Sequence, residues 1–287
     1  REIPLRASRE AIVNGVAHRE WGLSEPTVVE HVGRLLRVTS PGGFVGGVTA
    51  QNIITHPSRS RNKALAELLA ALRVAEREGV GVDRMVTDMV GVGHPVPGIE
   101  EIDGPYVRTS LVGDDLDLGW IEWLKQITPA AEVDDVNSLL ILATLVQGGW
   151  ADATTISATI QDTPAVDRGA LAKLAVTLHH GRPIILAVEA TPTGSDEAWR
   201  LNPACAATLR DLDKRFGRNR TWPSREAVAL SYARSRGRIS TTELGSIVEA
   251  APNNMGSVLR RLEEEGIIAP ARTSRRGRGF YYRYTGS

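Results

Sequence analysis

The chain alternates between stretches of helical and of strand-like hydrophobic spacing. Pro4 to Glu20 carries an amphipathic helical pattern. Val28 to Val38 alternates around Gly33, which predicts two strands joined by a turn. A glycine-rich loop, Ser40 to Gly47, follows. Asn62 to Leu72 and Gly81 to Val90 return to helical spacing, and Ile99 to Leu111 closes with a strand pair. These elements predict an α/β domain over residues 1–112.

After the acidic linker Gly113-Asp114-Asp115 the pattern becomes mostly helical. Helices are expected over Leu116 to Ile127, Asp134 to Gln147, Ala153 to Gln161, and Thr163 to about Leu178, the last with Pro164 in the first turn. Strands are expected at Pro183 to Glu189 and Glu197 to Leu201. Residues from Ser224 onward repeat that order. An apolar helix, Ser224 to Arg236, meets a Gly-Arg turn, and Ser240-Thr241-Thr242-Glu243 reads as a capping box opening a short helix. Asn253 to Leu262 is expected to be the longest helix of this set. A strand (Ile267 to Arg272), a turn (Thr273 to Gly279) and a return strand (Phe280 to Tyr284) complete it. Helix, helix, helix, strand, strand is the order of a winged helix, so two tandem α+β winged-helix domains are expected, at 113–205 and 206–287. A basic link, Asp211 to Thr221, joins them.

Charge sharpens this division. The formal net charge is zero. Residues 111–200 hold 5 Lys+Arg against 13 Asp+Glu, whereas residues 215–287 hold 14 against 6. The basic end carries the electrostatic footprint of polyanion binding, and the acidic middle would repel phosphate. One cysteine, Cys205, excludes an internal disulfide and fits a cytoplasmic location. No apolar run reaches the ~20 residues of a membrane helix. The opening Arg1-Glu2-Ile3-Pro4 reads like the interior of a longer gene product.

Candidate chemistry falls in both basic and glycine-rich stretches. Glu10, Asn14 and His18 lie four apart and line one helical face, where a carboxylate, an amide and an imidazole could activate water and hold Mg²⁺, or form a solvated polar face. Gly42 and Gly43 would let backbone approach a phosphate. Gly79 and Gly81 precede a helix, whose N-terminus favours anions. In the C-terminal module Asn253, Asn254 and Ser257 are placed to face base edges, Arg260 and Arg261 to reach phosphates, and Arg275, Arg276 and Arg278 to tip the wing. In the middle module Asp162 and Asp167 stand where phosphates would lie, which predicts packing against a partner instead.

Four stretches in this order, Arg9 to Glu20, Ser40-Pro41-Gly42-Gly43-Phe44, Ser60-Arg61-Asn62 and Glu78-Gly79-Val80-Gly81, resemble the C-terminal domain of the RecG-like ATP-dependent helicase family. The resemblance covers Arg1 to about Val112. It implies a GHKL-like α/β sandwich, as in histidine-kinase and gyrase nucleotide domains. Family members often carry an upstream Schlafen AlbA-type domain and trailing winged helices, and many are transcriptional regulators. By that resemblance Glu10 becomes the general base, Asn14 the Mg²⁺ ligand if ATP binds, and Gly42, Gly43, Gly79 and Gly81 the nucleotide loops. The family's enzymes use an Asp in the second motif to accept from the adenine amine; here Ser40-Pro41-Gly42-Gly43 has none. No G-x-x-x-x-G-K-[ST] loop supports helicase chemistry. The expected protein is a DNA-binding transcriptional regulator, dimeric on double-stranded DNA, with a degenerate domain that binds ATP weakly or serves as a dimerising scaffold. An ATP-hydrolysing enzyme anchored to DNA and an interaction scaffold without DNA contact stay open as alternatives.

Overall fold

The computed structural model of the chain describes residues 2–57, 59–74, 81–273 and 279–286. They form two compact units. The first comprises Arg1–Gln126, Ala130–Leu139 and Ile160–Asp162, the second Ile127–Pro129, Leu140–Thr159 and Thr163–Ser287.

The chain opens with α1 (Leu5–Ala17), β1 (Val28–Val32), β2 (Leu35–Pro41), α2 (Lys63–Ala71), α3 (Gly81–Gly91), β3 (Gly98–Ile102), β4 (Tyr106–Val112) and α4 (Leu118–Leu124). The strands form one antiparallel sheet in the order β1-β2-β4-β3. Gly33 takes φ +60° in the β1–β2 turn, a conformation that L side chains rarely tolerate. Period-two alternation then decides which side chains go inward. Leu36, Val38 and Ser40 of β2, with Thr109 and Leu111 of β4, are buried, while all five residues of β1 are exposed. Ala7 and Ala11 of α1 and Met85 and Met89 of α3 meet Leu36, Val38 and Leu111 in a single apolar cluster. The small alanines let α1 approach the sheet closely. Each large side chain buried there contributes roughly 1.5–3 kcal/mol. Helix α4 is capped by Asp117, which accepts from the Trp120 amide, and the Trp120 indole donates to the Val90 carbonyl at 2.8 Å.

Helix α1 ends at Ala17, short of the Glu20 expected from its spacing. The cause is local. The Asn62 amide donates to the carbonyls of Ala17 and Arg19 at 2.9 and 2.7 Å, and Arg61 Nε donates to that of His18 at 3.1 Å. Side chains from elsewhere in the fold therefore satisfy carbonyls that would otherwise invite another turn.

The rest of the chain runs β5 (Ile127–Thr128), α5 (Val136–Gly148), α6 (Ala153–Ile160), α7 (Pro164–Val176), β6 (Leu178–His179), β7 (Arg182–Pro183), β8 (Ile185–Ala187), β9 (Trp199–Leu201) and α8 (Pro203–Arg215). It finishes with α9 (Arg225–Arg236), β10 (Arg238–Ile239), α10 (Thr241–Val248), α11 (Gly256–Glu264), β11 (Ile268–Pro270) and β12 (Tyr282–Tyr284). The expected pairing of strands near 185 and 200 is present as β8 against β9. Strand β12 lies between β10 and β11. Helix α8 is not among the expected elements, and its last turn falls within the stretch Asp211 to Thr221 expected to be a basic link. Its signals were in the sequence: Asn202 caps it, Pro203 starts it, and Cys205, Ala206, Leu209 and Leu212 fall on one buried face. Burial pushes the Cys205 thiol up to about 11.

Two further expectations are corrected in detail. Ser240 caps α10 by accepting from the Glu243 amide, but the buried Glu243 carboxylate accepts from Tyr232 Oη and Arg238 instead of returning to Ser240. The segment beginning at Asn253 is not the longest helix of its set. Residues Pro252–Met255 form a 3₁₀ turn before α11, and α9 is longer. Gly256 at the junction and the cost of extending 3₁₀ geometry explain the change of pitch.

A single cluster in the second unit takes in Trp150, Val188 and Ala198 together with Val228, Tyr232, Leu244, Leu259 and Ile268. At its edge Arg236 reaches Asp152 at 2.8 Å, with side-chain exposures of 8% and 3%. The guanidinium also donates to the Asp196 carbonyl at 2.6 Å and lies 5.8 Å from the Trp150 ring. Asp152 Oδ1 meanwhile caps α6 through the Thr155 amide. Deleting one ion of a buried pair strands the other, which typically costs about 3–5 kcal/mol. Arg236→Met should therefore destabilise the chain by about that amount in urea titrations followed by tryptophan fluorescence. Adding Asp152→Asn, which keeps the cap and removes the stranded charge, should restore part of the loss.

Candidate functional site

The first unit contains a cavity of about 190 Å³ between α1, the inner face of the sheet, the start of α3 and the loop after β2. Glu10, Asn14, Ser40, Phe44, Gly81 and Thr109 are among its walls. Two of the sequence-predicted residues meet here through the helix repeat. Glu10 and Asn14 are one turn apart on α1, and Glu10 is almost fully buried. Gly81 opens α3 directly against them. A Cβ at that position would stand 3.0 Å from Glu10 Oε2 and 3.4 Å from Asn14 Nδ2, so glycine keeps the space open. His18 lines the cavity one turn further on. Gly79 lies outside the described residues.

The predicted loop glycines lie at the mouth. Gly42 has φ +97°, and its amide donates to the Pro105 carbonyl at 3.0 Å. A Cβ on Gly43 would fall 2.7 Å from Glu101 Oε1, and the Phe44 amide donates to Glu101 Oε2 at 2.8 Å. Arg61 ties this mouth to the end of α1. It donates to the Glu20 carboxylate at 2.7 Å and to the Gly43 carbonyl at 2.6 Å, besides its bond to His18. Bonds from the Gly22 amide and from Arg61 lower the Glu20 pKa. The motif Ser60-Arg61-Asn62 was visible in the sequence, yet spacing assigned it no task. Its task is mechanical: it joins two segments of chain that are far apart in sequence.

Gln161, in the same unit, was not foreseen at all. Its side chain accepts from the Ile54 amide at 3.0 Å and donates to the Ala50 carbonyl at 2.9 Å, while its carbonyl accepts from Thr55 Oγ1 at 2.6 Å. It adopts φ +65°, which is uncommon for a residue with a side chain. Three bonds from one residue hold the cavity loop. Separation of more than a hundred positions hides such a contact from any local pattern.

Asp83 also lines the cavity, from the first turn of α3. Burial raises its pKa above the ordinary value, and the neighbouring Asp135 charge raises it further. Ser40, where an adenine-selecting carboxylate would be expected, donates its hydroxyl to the Gly15 carbonyl.

The second candidate surface is on α11. Val258, Leu259 and Leu262 point into the core. Asn253, Asn254, Ser257, Arg260 and Arg261 are exposed. Asn253 and Asn254 sit on the 3₁₀ turn rather than on α11 itself. Arg261 pairs with Glu226 at 3.4 Å. Arg275, Arg276 and Arg278 lie outside the described residues. In the middle segment Asp167 is fully buried and accepts from Ser157, so it presents no carboxylate to a ligand. His179 is likewise buried, in β6.

Comparisons with known proteins support the first unit's assignment. Residues 32–108 match the family described as "Putative ATP-dependent DNA helicase recG C-terminal". That span includes the Gly42-Gly43 mouth, Arg61 and Gly81 and begins after Glu10 and Asn14. Among solved structures, the chain is similar to the DIP2311 protein from Corynebacterium diphtheriae, with 30% identity over 99% of this chain and a TM-score of 0.82. The chain spans about half (50%) of that protein. No functionally curated protein matches it. No helix among the described residues is long and apolar enough to cross a membrane.

Two expectations follow from the cavity. Arg61→Ala should free the mouth, and hydrogen exchange at the Phe44 and Gly43 amides should accelerate while the α3 core stays protected. Asp83 binds its proton more tightly in the folded chain than in the unfolded one, so the stability it confers at low pH is lost as pH rises through its folded pKa. Asp83→Asn should consequently raise Tm at about pH 7, with the gain vanishing near pH 3, as read by thermal unfolding.

Proposed function

We propose that this chain, which carries a RecG C-terminal-like domain of the GHKL type, is a DNA-binding transcriptional regulator whose first unit binds an adenine nucleotide weakly. The exposed face of α11 carries the DNA part of the reading. Helix, strand, helix, helix, strand, strand from α9 to β12, with β10-β12-β11 as the small sheet, is the order of a winged helix. In that arrangement the helix before the wing enters the major groove. Here it buries one apolar stripe and offers amides, a hydroxyl and guanidinium groups to solvent, the groups that read base edges and hold phosphates. A single such helix contacts little DNA, so a homodimer on paired half-sites is part of the proposal.

The nucleotide part draws on the cavity. Glu10, Asn14 and Asp83 supply hard oxygen donors, which suit Mg²⁺. Gly81 leaves room for a group to approach them. Bound there, Mg²⁺ would neutralise phosphate charge. The lining also brings the hydroxyls of Ser40 and Thr109, and among the described residues no carboxylate stands at the Ser40-Pro41-Gly42-Gly43 position for the adenine amine, which favours weak binding over turnover. A second reading, an ATP-hydrolysing enzyme anchored to DNA, is favoured by the closeness of Glu10 to Asn14 and Gly81.

Gel shifts on a random duplex at about 50 mM salt test the DNA reading. The wild-type chain should be retained, Arg260→Ala should weaken binding on every sequence and flatten the salt slope by about 1, and Asn254→Ala should relax preference at one position. No retention of the wild type at low salt would reject it. Titration calorimetry with ATP and Mg²⁺ tests the nucleotide reading. A measurable ATPase rate abolished in Glu10→Ala would replace it with the enzyme.

A further inference from the structure

The stretch from the last turns of α8 to the start of α9 carries several cations, and only some are used internally. Arg220 makes a two-pronged ion pair with buried Asp213 at 2.8 and 2.9 Å, and the Arg218 amide donates to the Asp213 carbonyl at 2.8 Å. These bonds fold residues 213–220 back on the end of the helix and consume the one buried carboxylate of the segment. Lys214 leans on exposed Asp211 at 3.2 Å. Arg210, Arg215 and Arg225 are exposed and have no carboxylate partner among the described residues. Two of them are held against rings. The Arg210 guanidinium lies 4.2 Å from the centre of the Trp222 ring, and that of Arg215 lies 5.5 Å from the Phe216 ring, itself 41% exposed. Stacking orders a guanidinium before any ligand arrives and leaves its N–H edge free to donate. The strip adjoins α11, since Glu226, next to Arg225, is the residue that pairs with Arg261.

We propose that this strip is a second contact with the DNA backbone, taking phosphodiester groups of the duplex that flanks the site held by α11. The inference rests on the DNA-binding reading above. Its outward charge is positive, and it adjoins the exposed Arg260 and Arg261 of α11, so one polyanion can satisfy both sets of guanidinium groups. Guanidinium groups fixed on aromatic faces suit phosphate oxygens and carry no base readout, so the contact would add affinity without adding sequence preference.

The test compares the wild type with an Arg210→Gln, Arg215→Gln, Arg225→Gln triple variant on duplexes of about 10 and about 30 base pairs, across a salt series. On the long duplex the variant should bind at least about tenfold more weakly, and its salt slope should be shallower by about 2–3, one per lost phosphate contact. On the short duplex, long enough only for α11, the two should bind alike. Arg215→Lys, which keeps the charge, should bind the long duplex like the wild type. Equal affinity and slope for the triple variant on the long duplex would overturn the proposal, and Arg260→Ala still weakening binding would show the DNA reading intact. An equal loss at both lengths, or an Arg215→Lys loss as large as the triple variant's, would mark the effect as structural and also overturn it. Failure of the wild type to bind either duplex at low salt would end both.

Discussion

One guanidinium with three acceptors holds the first unit's cavity together. Arg61 spans the carbonyl end of α1, the Glu20 carboxylate and the glycine turn at the mouth. Its neighbour Asn62 takes two more carbonyls from the same helix end. Charge-assisted bonds of this kind are shorter and stronger than neutral ones, and they are directional. Through them α1 stops where it does, and Glu10 and Asn14 stay facing the opening of α3. Gly42 is constrained by the same contact, because a Cβ there would press on Glu20 and on Arg61. The predicted glycines and the predicted polar face thus belong to one mechanical assembly.

The second unit shows a related economy of charge. The acidic middle and the basic end of the chain look like separate surfaces when read as running totals. In the fold the charges pair across and within these stretches: Arg236 of the basic end meets Asp152 of the acidic middle, Arg200 of the middle meets Glu249 of the end, and Arg168 meets Asp196 within the middle. Basic residues near the C-terminus also serve their own helices, as Arg238 does for Glu243 and Arg220 for Asp213. The net excess of positive charge overstates what is left for a ligand. Among the described residues, the outward cations include Arg260 on α11 and those on the strip before α9. A buried ion pair adds little net stability over an apolar one, yet it penalises every alternative packing that leaves one charge alone.

Local pattern carried much of the first unit. Alternation around Gly33, the helical spacing of Glu10 and Asn14, and the glycines near residues 42 and 81 are short-range features, and each corresponds to an element found in the structure. The α11 face was legible for the same reason, since a 3.6-residue period separates Val258, Leu259 and Leu262 from Ser257, Arg260 and Arg261. Helix α8 was equally legible from Asn202 and Pro203, but the Lys214 and Arg215 of its last turn run into the basic stretch that follows it and resemble the start of a link. The 3₁₀ turn at Asn253 turned on the pitch of a few residues, where propensity is a weak guide.

What the amino-acid order settled by itself is most of the helices, the strands of the first unit's sheet and which residues lie on their faces, because helical and strand periods act over a few positions. What only tertiary structure decided is who meets whom: Gln161 on the cavity loop, Glu101 on the Phe44 amide, Arg236 on Asp152, Glu243 on Tyr232 rather than on Ser240. Those contacts join residues at least eleven positions apart along the chain, and the buried ones among them gain from desolvated polar groups finding partners in the interior. No local period encodes such a partner; packing of the whole unit selects it.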